Sequence, residues 1–144
     1  MVNDNFNLQG ALTIALNNEV VREVPNLVVT AGKNWVAQRM NNVNTVMTHM
    51  AVGTGTTQAL AAQTALVSEN DRNSLTSTTV TNNTIIYVAT WAAGDATAAL
   101  TEAAVFDASS GGDMLCRTVF SVVNKASADS MTITWTITVS WYGN

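Results

Sequence analysis

Residues 131–141 read Met-Thr-Ile-Thr-Trp-Thr-Ile-Thr-Val-Ser-Trp, and this stretch decides the fold class. Every odd position is apolar, and every even position carries a hydroxyl group. Because side chains on a β-strand point alternately to two faces, this period of two predicts one strand of about 36 Å. A helix is excluded, since it would scatter the apolar residues around its whole circumference.

The two faces of this strand predict two different environments. The odd residues, which include Trp135 and Trp141, must pack on a core, whereas the even residues carry neither Lys nor Glu. Threonine is favoured on a pleated surface for its shape alone, which is the simpler interpretation of the even positions. The alternative is that a partner protein lies on this uncharged face, and the sequence leaves both interpretations open.

The composition points to a single domain with an unusual surface. The chain has 144 residues, of which 47% are hydrophobic and only 11% are charged, against about a quarter in a typical domain. Charge normally keeps a free monomer in solution, so a surface this poor in charge is typical of a protein that neighbours cover. The net charge of −4 predicts no direct binding of nucleic acid. No apolar run is long enough for a bilayer span, so no membrane association is expected.

The single cysteine and the first five residues bear on the cellular compartment of the protein. Cys116 is the only cysteine, so no internal disulfide framework is expected. Residues 1–5 lack the basic and apolar regions of a signal peptide. We therefore expect synthesis and retention in a cytoplasm, or release by a route such as lysis.

The rest of the chain alternates short strand patterns with turn signals. Strands are predicted over 8–16, 19–29, 46–52, 75–80, 85–91, 100–107 and 114–123. Asn17-Asn18, Asn82-Asn83 and the segment 108–112 have the composition of hairpin turns. Pro25 interrupts the second strand and predicts a sheet edge or a bulge there, because proline cannot donate to a ladder.

One or two short helices complete the prediction. Thr30 is a candidate N-cap for a helix over 31–40, with Trp35, Val36 and Met40 on its buried side. The Ala-rich segment 58–68 fits a short helix or an ordered loop equally well. The predicted fold is mainly β: one antiparallel β-sandwich domain over 1–144, with an N-terminal hairpin, one or two short helices and an N-terminal arm over 1–10.

The residues capable of chemistry are few and lack partners. His49 is the only histidine, and a catalytic or metal role would need companions that the chain does not contain. Cys116 reads most simply as a small buried apolar residue, and His49 is the only base with which it could form a nucleophilic pair. We predict no catalytic, cofactor-binding or metal-binding residue and therefore no enzyme and no cofactor.

Two glycine-containing segments resemble binding loops. The segment 53–57, Gly-Thr-Gly-Thr-Thr, lacks the lysine of a phosphate loop, and a flexible connection between strands explains it better. The segment 107–113 has oxygen-bearing side chains at alternate positions, but Thr118 stands where a calcium loop requires a bidentate glutamate. A glycine-rich hairpin turn is therefore the prediction for 107–113.

The carboxylates suggest structure more than catalysis. Glu102 precedes the apolar run 103–106, and we predict that it pairs with Arg117 across the hairpin. Glu69, Asp71 and Arg72 are predicted to lie in a solvated loop. No pair of carboxylates has a context that suggests acid–base catalysis.

Several stretches taken in order carry a resemblance to a known family. They are 12–14, 24–29, 31–34, 49–57, 75–79, 100–107, 114–120, Asn124-Lys125 and 131–139. With these stretches the chain resembles small structural proteins of tailed bacteriophages, including tail-fibre-like proteins and minor virion components. The resemblance covers nearly the whole chain and implies an all-β domain that oligomerises or coats a larger shell. No fibre, collagen-like or heptad repeat follows the domain, which argues against a receptor-binding fibre.

The resemblance and the composition together give the functional expectation. We expect a non-enzymatic virion protein assembled in the host bacterial cytoplasm, most simply a capsid cement or decoration protein. Its expected partners are further copies of itself and other virion proteins, above all the major capsid protein. A tail, neck or baseplate component that anchors a fibre is the alternative within the same class. A carbohydrate-binding module, with Trp91, Trp135 and Trp141 as its platform, is the alternative from another class.

Overall fold

Two five-stranded antiparallel sheets pack face to face in a computed structural model of the chain. The structure describes the backbone of residues 6–141 and the side chains of residues 7–140. This architecture confirms the predicted mainly-β fold and the β-sandwich. The strands are β1 Phe6–Leu16, β2 Glu19–Pro25, β3 Leu27–Val28, β4 His49–Gly53, β5 Glu69–Ser74, β6 Ser77–Thr81, β7 Thr84–Trp91, β8 Ala98–Phe106, β9 Met114–Lys125 and β10 Met131–Trp141.

The first sheet has the order β2-β1-β10-β7-β6, which places β10 at its centre. Leu12 of β1 lies opposite Trp135, and Tyr87 of β7 lies opposite Trp135 on the other side. The turn between β1 and β2 is the predicted Asn17-Asn18 hairpin, and both residues adopt a positive φ, 52° and 67°. Asparagine tolerates this left-handed conformation better than most residues, which is why the hairpin closes here.

The second sheet has the order β3-β9-β8-β4-β5. Its centre is the β8–β9 hairpin, which confirms the hairpin predicted around the glycine-rich turn. The prediction for Glu69, Asp71 and Arg72 was wrong: they belong to β5, an edge strand that pairs with β4. All six residues of β5 are polar, so the strand has no apolar alternation and its sequence resembles that of a loop.

The chain passes from the first sheet to the second between β2 and β3. Pro25 ends β2 at the sheet edge, as predicted, and Leu27-Val28 joins β9 in the other layer. Asn26 lies at the crossing, where its N–H donates to the C=O of Gly10 at 3.0 Å. Its side-chain Oδ1 accepts a hydrogen bond from the indole N–H of Trp135 at 2.8 Å, so the central strand of the first sheet fixes the crossing point.

A single helix, α1 (Thr30–Met40), occurs among the residues that the structure describes, and it corrects two predictions. Thr30 is not the N-cap: Val29 occupies that position without a side-chain cap, and the Thr30 N–H donates to the C=O of Ala61 at 2.9 Å. A tertiary contact therefore replaces the side-chain cap. Met40 is 83% exposed, so it is not on the buried side, whereas Trp35 and Val36 are half-buried.

Close contact between α1 and β9 explains the glycine within the helix. Gly32 is the one buried residue of α1 and lies on the C=O of Leu115, where a Cβ atom would collide with the backbone. Glycine costs about 1 kcal/mol relative to alanine inside a helix, and here the cost is offset by the close approach of the helix to the sheet. The Ala-rich segment 58–68, for which a helix or a loop was predicted, is a loop.

The core confirms the face assignment of β10 over most of its length. Met131, Ile133, Trp135 and Ile137 are at most 3% exposed. Val139 is 43% exposed, and the side chain of Trp141 lies outside the described residues. The even residues of β10 face away from the core and are half-buried by their neighbours on the sheet.

Half of the predicted N-terminal arm is part of the sheet. Residues 1–5 lie outside the described part of the chain, whereas residues 6–10 form the start of β1 and pair with residues 137–141 of β10. The segment was expected to lie on a neighbour because it has few large side chains. Backbone hydrogen bonds to β10 hold residues 6–10 in the sheet, and these bonds do not require large side chains.

Replacing Trp135 by alanine tests the core assignment. Trp135 is fully buried, and its loss should lower the free energy of unfolding by about 3–5 kcal/mol. Thr134→Ala, next to it on the opposite face, should change this free energy by less than about 1 kcal/mol. Urea denaturation of both variants measures the difference, and equal stabilities would mean that the face assignment is wrong.

Candidate interaction surface

The outer faces of the two sheets differ in how the chain covers them. The outer face of the second sheet is covered by α1 and by the loop over residues 54–68. A small apolar cluster lies beneath this cover, formed by Val29, Ala51, Leu66, Ala104, Phe106 and Met114. Among the described residues, no segment of the chain lies across the outer face of the first sheet.

A buried ion pair holds the loop 54–68 on the second sheet. Glu102 of β8 and Arg117 of β9 are both fully buried, and Arg117 Nη2 lies 2.8 Å from Glu102 Oε1. Arg117 Nε donates to the same oxygen at 3.1 Å, which confirms the predicted pairing across the hairpin. The third guanidinium nitrogen, Nη1, donates to the C=O of Thr57 and to the side chain of Gln63, so the arginine also binds the loop.

The carboxylate of Glu102 accepts hydrogen bonds from three backbone N–H groups of the loop 54–68. Gly55 and Ser68 donate to Oε2 at 2.8 and 2.7 Å, and Val67 donates to Oε1 at 3.0 Å. A buried carboxylate is stable only when such partners replace its water shell. The ionised pair therefore fastens both ends of the loop 54–68 to the centre of the second sheet.

This arrangement explains the segment 53–57 that resembles a phosphate loop. The anion that its backbone approaches is the chain's own carboxylate, that of Glu102. Cβ atoms added at Gly53 or Gly55 would meet the Glu102 side chain, so the two glycines allow the close approach. The segment was predicted to be a flexible connection, whereas the Gly55 C=O also accepts a hydrogen bond from Thr101 Oγ1 at 2.7 Å.

Hydrogen bonding determines the ionisation of Glu102. Burial is the largest influence and favours the neutral carboxyl, but the combined hydrogen bonds from Ser68, Arg117, Val67 and Gly55 outweigh it. They hold the pKa of Glu102 below its ordinary value. Because the pKa is lower in the folded state than in the unfolded state, the ion pair stabilises the fold above about pH 4.3 and loses this contribution as the pH falls through the folded-state pKa.

The bare outer face of the first sheet is rich in hydroxyl groups, and we call it the threonine face. The even residues of β10 point outward on this face. Residues directly opposite one another point to the same side of a sheet, so the odd residues of β1 and the residues paired with them on β7, β6 and β2 point outward as well. These residues are Asn7, Gln9, Ala11, Thr13, Ala15, Val20, Glu23, Ser77, Thr79, Thr81, Thr84, Ile86, Val88, Thr90, Thr132, Thr134, Thr136, Thr138 and Ser140.

Charge is nearly absent from the threonine face. Within residues 7–140, Glu23 is its only charged side chain, and it lies on the edge strand β2. Thr84 and Thr138 lie directly opposite one another with 3.5 Å between their hydroxyl oxygens, and Thr90 and Thr132 do so with 3.4 Å. These two contacts orient the hydroxyl groups near both ends of the β7–β10 pairing and leave acceptor and donor capacity free for a partner or for water.

The two residues with reactive side chains lie apart. Cys116 on β9 is fully buried, and burial raises the pKa of its thiol well above the ordinary value. His49 is on β4 with β8 between the two strands, and its ring nitrogens contact Thr48 Oγ1 at 2.7 Å and Ser74 Oγ at 3.3 Å. The hypothetical pair of Cys116 and His49 is therefore not assembled.

The segment 107–113 is a hairpin turn, as predicted. Asp107 Oδ1 accepts the Asp113 N–H at 2.7 Å, and Gly111 and Gly112 supply positive φ angles of 61° and 75°. Asp113 Oδ2 accepts a hydrogen bond from Asn44 at 2.6 Å, which ties the turn to the loop after α1. Within the described part of the chain, no group of three or more His, Cys, Asp or Glu side chains could hold a metal ion.

Arg72 of β5 stabilises this turn from the neighbouring strand. It donates to the C=O of Ala108 and of Gly111, and its guanidinium lies 3.7 Å above the ring of Phe106. Glu69 on the same strand forms an ion pair with it at 2.7 Å. Arg72, one of the three charged residues predicted to lie in a loop, thus holds the turn 107–113 at the end of the second sheet.

Sequence reasoning found only the central strip of the threonine face. The even residues of β10 were singled out, but the outward residues of β1, β6 and β7 were not. A signal for β6 and β7 exists in the Thr- and Val-rich runs on either side of Asn82-Asn83. That signal does not identify β10 as the neighbour of β7, because the register between distant strands is a tertiary property.

Two of the three residues of the suggested tryptophan platform are not at the surface. Trp91 and Trp135 are fully buried in the core, and Trp141 has no described side chain.

Comparison of the chain with protein-family models, with curated proteins and with solved structures gives no significant match. Over residues 6–141, no helix is long and apolar enough to cross a membrane.

Glu102→Gln tests the ion pair through the pH dependence of stability. Removing one partner of a buried pair should lower the free energy of unfolding by about 3–5 kcal/mol at neutral pH. The wild-type chain should lose stability as the pH falls below about 4.3, and the variant should lose less over the same range, since residue 102 no longer titrates. Glu23→Gln on the sheet edge is the matched control, with a change within about 0.5 kcal/mol. Urea denaturation at several pH values measures this, and an unaltered pH profile in Glu102→Gln would contradict the assignment.

Proposed function

We propose that this chain is a non-enzymatic structural protein of a tailed-bacteriophage virion, a capsid cement or decoration protein that binds across neighbouring major capsid subunits through its threonine face. The observation that carries the proposal is the asymmetry of the sandwich. The chain covers the outer face of one sheet with its own helix and loop, whereas the described residues leave the nearly uncharged outer face of the other five-stranded sheet bare.

The chemistry of the threonine face suits a large protein–protein contact. Burying an ion at an interface has a desolvation cost, and this face has one charged side chain, at its margin. Threonine and serine hydroxyl groups can bond to a partner's backbone or to trapped water, which ordinary interfaces contain. Half-buried Ile86 and Val88 on β7 add apolar area beside them. In the cement role, one copy contacts two neighbouring capsid subunits. The added contact area between subunits then resists the pressure of the packaged DNA.

Several features support the non-enzymatic part of the proposal. Cys116 is buried with a raised pKa, His49 lies on another strand, and Glu102 is fully engaged by Arg117 and the loop 54–68. Of these three side chains, Cys116 and Glu102 are therefore buried within the fold, and His49 lies apart from both reactive groups.

A tail, neck or baseplate component that anchors a fibre is the second candidate, because the same face would serve a tail contact equally well. Copy number separates the two positions. On the order of hundreds of copies per purified particle would indicate the shell, and a multiple of three or six up to a few dozen would indicate the tail, since each site imposes its own symmetry. The carbohydrate-binding module is not retained, because Trp91 and Trp135 are unavailable at the surface.

A lysine at the centre of the threonine face tests the proposed contact. Thr136→Lys should leave the fold intact, because the side chain points away from the core, and should weaken binding to particles by about tenfold or more through an unpaired charge at the interface. Ser110→Lys, which adds the same charge in the exposed 108–112 turn, is the matched control and should bind normally. The measurement is the number of copies that rebind to particles lacking the protein, with circular dichroism as a check on folding. Wild-type binding by Thr136→Lys would rule out this face as the contact.

Conservative changes at the two reactive residues test the absence of chemistry. His49→Gln and Cys116→Ala should each give particles with normal copy number and normal resistance to heat, because neither side chain is assigned a reactive role. Unfolding measurements on the isolated variants control for loss of the fold. Failed assembly by a variant that folds normally would reveal a site that this proposal lacks.

A further inference from the structure

Within residues 6–141, the two sheets end in four edge strands, and three of these carry features that oppose further pairing. β2 contains three charged side chains and ends in Pro25, β5 contains three charged side chains, and β3 has only two residues. Charge, proline and short length are the usual means by which proteins protect an edge from other strands. The fourth edge strand, β6, has neither a charged residue nor a proline and is five residues long.

The free side of β6, which we call the β6 edge, is regular and exposed. The strand pairs with β7 from Ser77 to Thr81 without a bulge, and all five residues are exposed. Residues 73–94 contain no charged side chain, so the uncharged character extends well beyond the strand. Threonine and valine, which make up most of β6, are strong strand formers. The β6 edge is therefore suited to pair with a further strand.

The free backbone groups of the β6 edge belong to Thr78 and Val80. The hydrogen bond from the Val139 N–H to the C=O of Asn83 shows that odd-numbered residues on this side of the hairpin bond to β10. By alternation, the even residues of β7 bond to the odd residues of β6, which lie opposite them. Thr78 and Val80 consequently direct their N–H and C=O groups away from β7, where the sheet ends.

We propose that a second copy of the chain pairs with the β6 edge, with the two β6 strands antiparallel about a two-fold axis at Thr79. In this register Thr78 of one copy lies opposite Val80 of the other, and the same pair forms again across the axis. Each pair exchanges two backbone hydrogen bonds, so the two pairs satisfy every free backbone group of both edges. The two five-stranded sheets then form one continuous sheet.

Neighbouring registers leave some of these groups unpaired. A shift of two residues in one direction places Thr78 opposite Asn82, which lies in the turn and has a φ of 53°. A shift in the other direction places Val80 opposite Thr76, whose N–H already donates to a β7 carbonyl at 2.7 Å. A shift of one residue would turn the core side of one copy to the outer side of the other. The register at Thr79 satisfies the whole edge.

The charge of the β6 edge selects a second copy as its occupant. At a two-fold axis the central side chains meet their own counterparts, so an edge such as that of β2, which is centred on Arg22, would bring like charges together. The β6 edge instead brings Thr79 opposite Thr79 and Ser77 opposite Thr81. Hydroxyl pairs of this kind stabilise neighbouring strands. The edge is thus complementary to itself in length, in hydrogen bonding and in charge.

The pairing also covers an apolar side chain that the single chain leaves exposed. Val80 lies on the core side of the first sheet but is 68% exposed, and it lines a cavity of about 240 Å³ together with Ile137 and Val139. In the dimer, Val80 lies opposite Thr78 of the second copy and diagonal to its Val80, within reach of both side chains.

The orientation of the two copies has a consequence for the threonine face. Because even residues lie opposite even residues, both copies turn their core to the same side, and their threonine faces form one surface. The dimer does not depend on the proposed function. Where both hold, one dimer presents two joined faces to the shell.

Disulfide formation tests the register. In a Cys116→Ala background, Thr79→Cys should give a covalent dimer on mild oxidation, because opposite residues of a non-hydrogen-bonded pair lie about 4.5 Å apart between Cα atoms, within the range of a disulfide. Ser77→Cys, which is also exposed, is the matched control: its two copies are roughly 13 Å apart along the strands and should not cross-link. A mixture of Ser77→Cys and Thr81→Cys should give the mixed covalent dimer, since these residues lie opposite one another.

Removal of one edge donor tests the association itself. The wild-type chain should form a dimer in sedimentation velocity at high protein concentration. Val80→Pro removes an N–H group that faces the edge and spares the pairing with β7, so it should weaken the dimer by about tenfold or more while the chain stays folded. Val80→Ile retains the N–H group and the preference for a strand, and it should dimerise like the wild type. Circular dichroism checks the fold of each variant.

Four results would overturn the inference. A wild-type chain that stays monomeric at high concentration would do so, as would Val80→Pro with wild-type affinity and an intact fold. Cross-linking of Ser77→Cys as efficient as that of Thr79→Cys would exclude the register. If the Thr78 and Val80 amides became protected from hydrogen exchange only on the particle, the edge would pair with a different protein. Particle binding is scored separately through Thr136→Lys, so the dimer and the proposed contact with the shell can fail independently.

Discussion

The buried ion pair of Glu102 and Arg117 is the interaction on which the division of this sandwich into a covered side and a bare side depends. It lies on the outer side of the second sheet, where an unpaired carboxylate would be costly. Backbone N–H groups of Gly55, Val67 and Ser68 complete its coordination. The loop 54–68 is thereby fixed across the sheet, and its Ala61 C=O in turn accepts the first N–H of the helix.

The same arrangement gives the two sheets different roles. The centre of one sheet is buried on both faces, since it is covered by the helix and the loop on one side and by the core on the other. The other has Trp135 and its neighbours packed inside and threonines outside. A face with little charge is stable in a free chain only while water satisfies its hydroxyl groups, and a partner can replace that water at small electrostatic cost. The proposal of an assembly protein rests on this difference between the sheets.

Errors of the sequence interpretation share a physical cause. The Thr30 cap failed because a carbonyl from a distant loop took the place of the side chain, and β5 was missed because strand pairing with β4 does not require apolar alternation. The arm over 1–10 was predicted because the segment has few large side chains, yet backbone hydrogen bonds to β10 hold residues 6–10. In each case a contact between segments far apart in the chain outweighed the local pattern.

By itself, the sequence determined the elements whose signals are local. The alternation of 131–141 identified the strand and its inward face, Asn17-Asn18 and Asn82-Asn83 identified turns, and the position of Glu102 before an apolar run indicated its pairing with Arg117. Only the tertiary structure decided that β10 lies at the centre of a sheet, that its hydroxylated face extends over β1, β7 and β6, and that β2 pairs with β1 only between Ala11 and Leu16. Local patterns depend on side-chain periodicity within one segment, whereas strand order and register depend on the packing of segments that are far apart in the chain, as β1 and β7 are from β10.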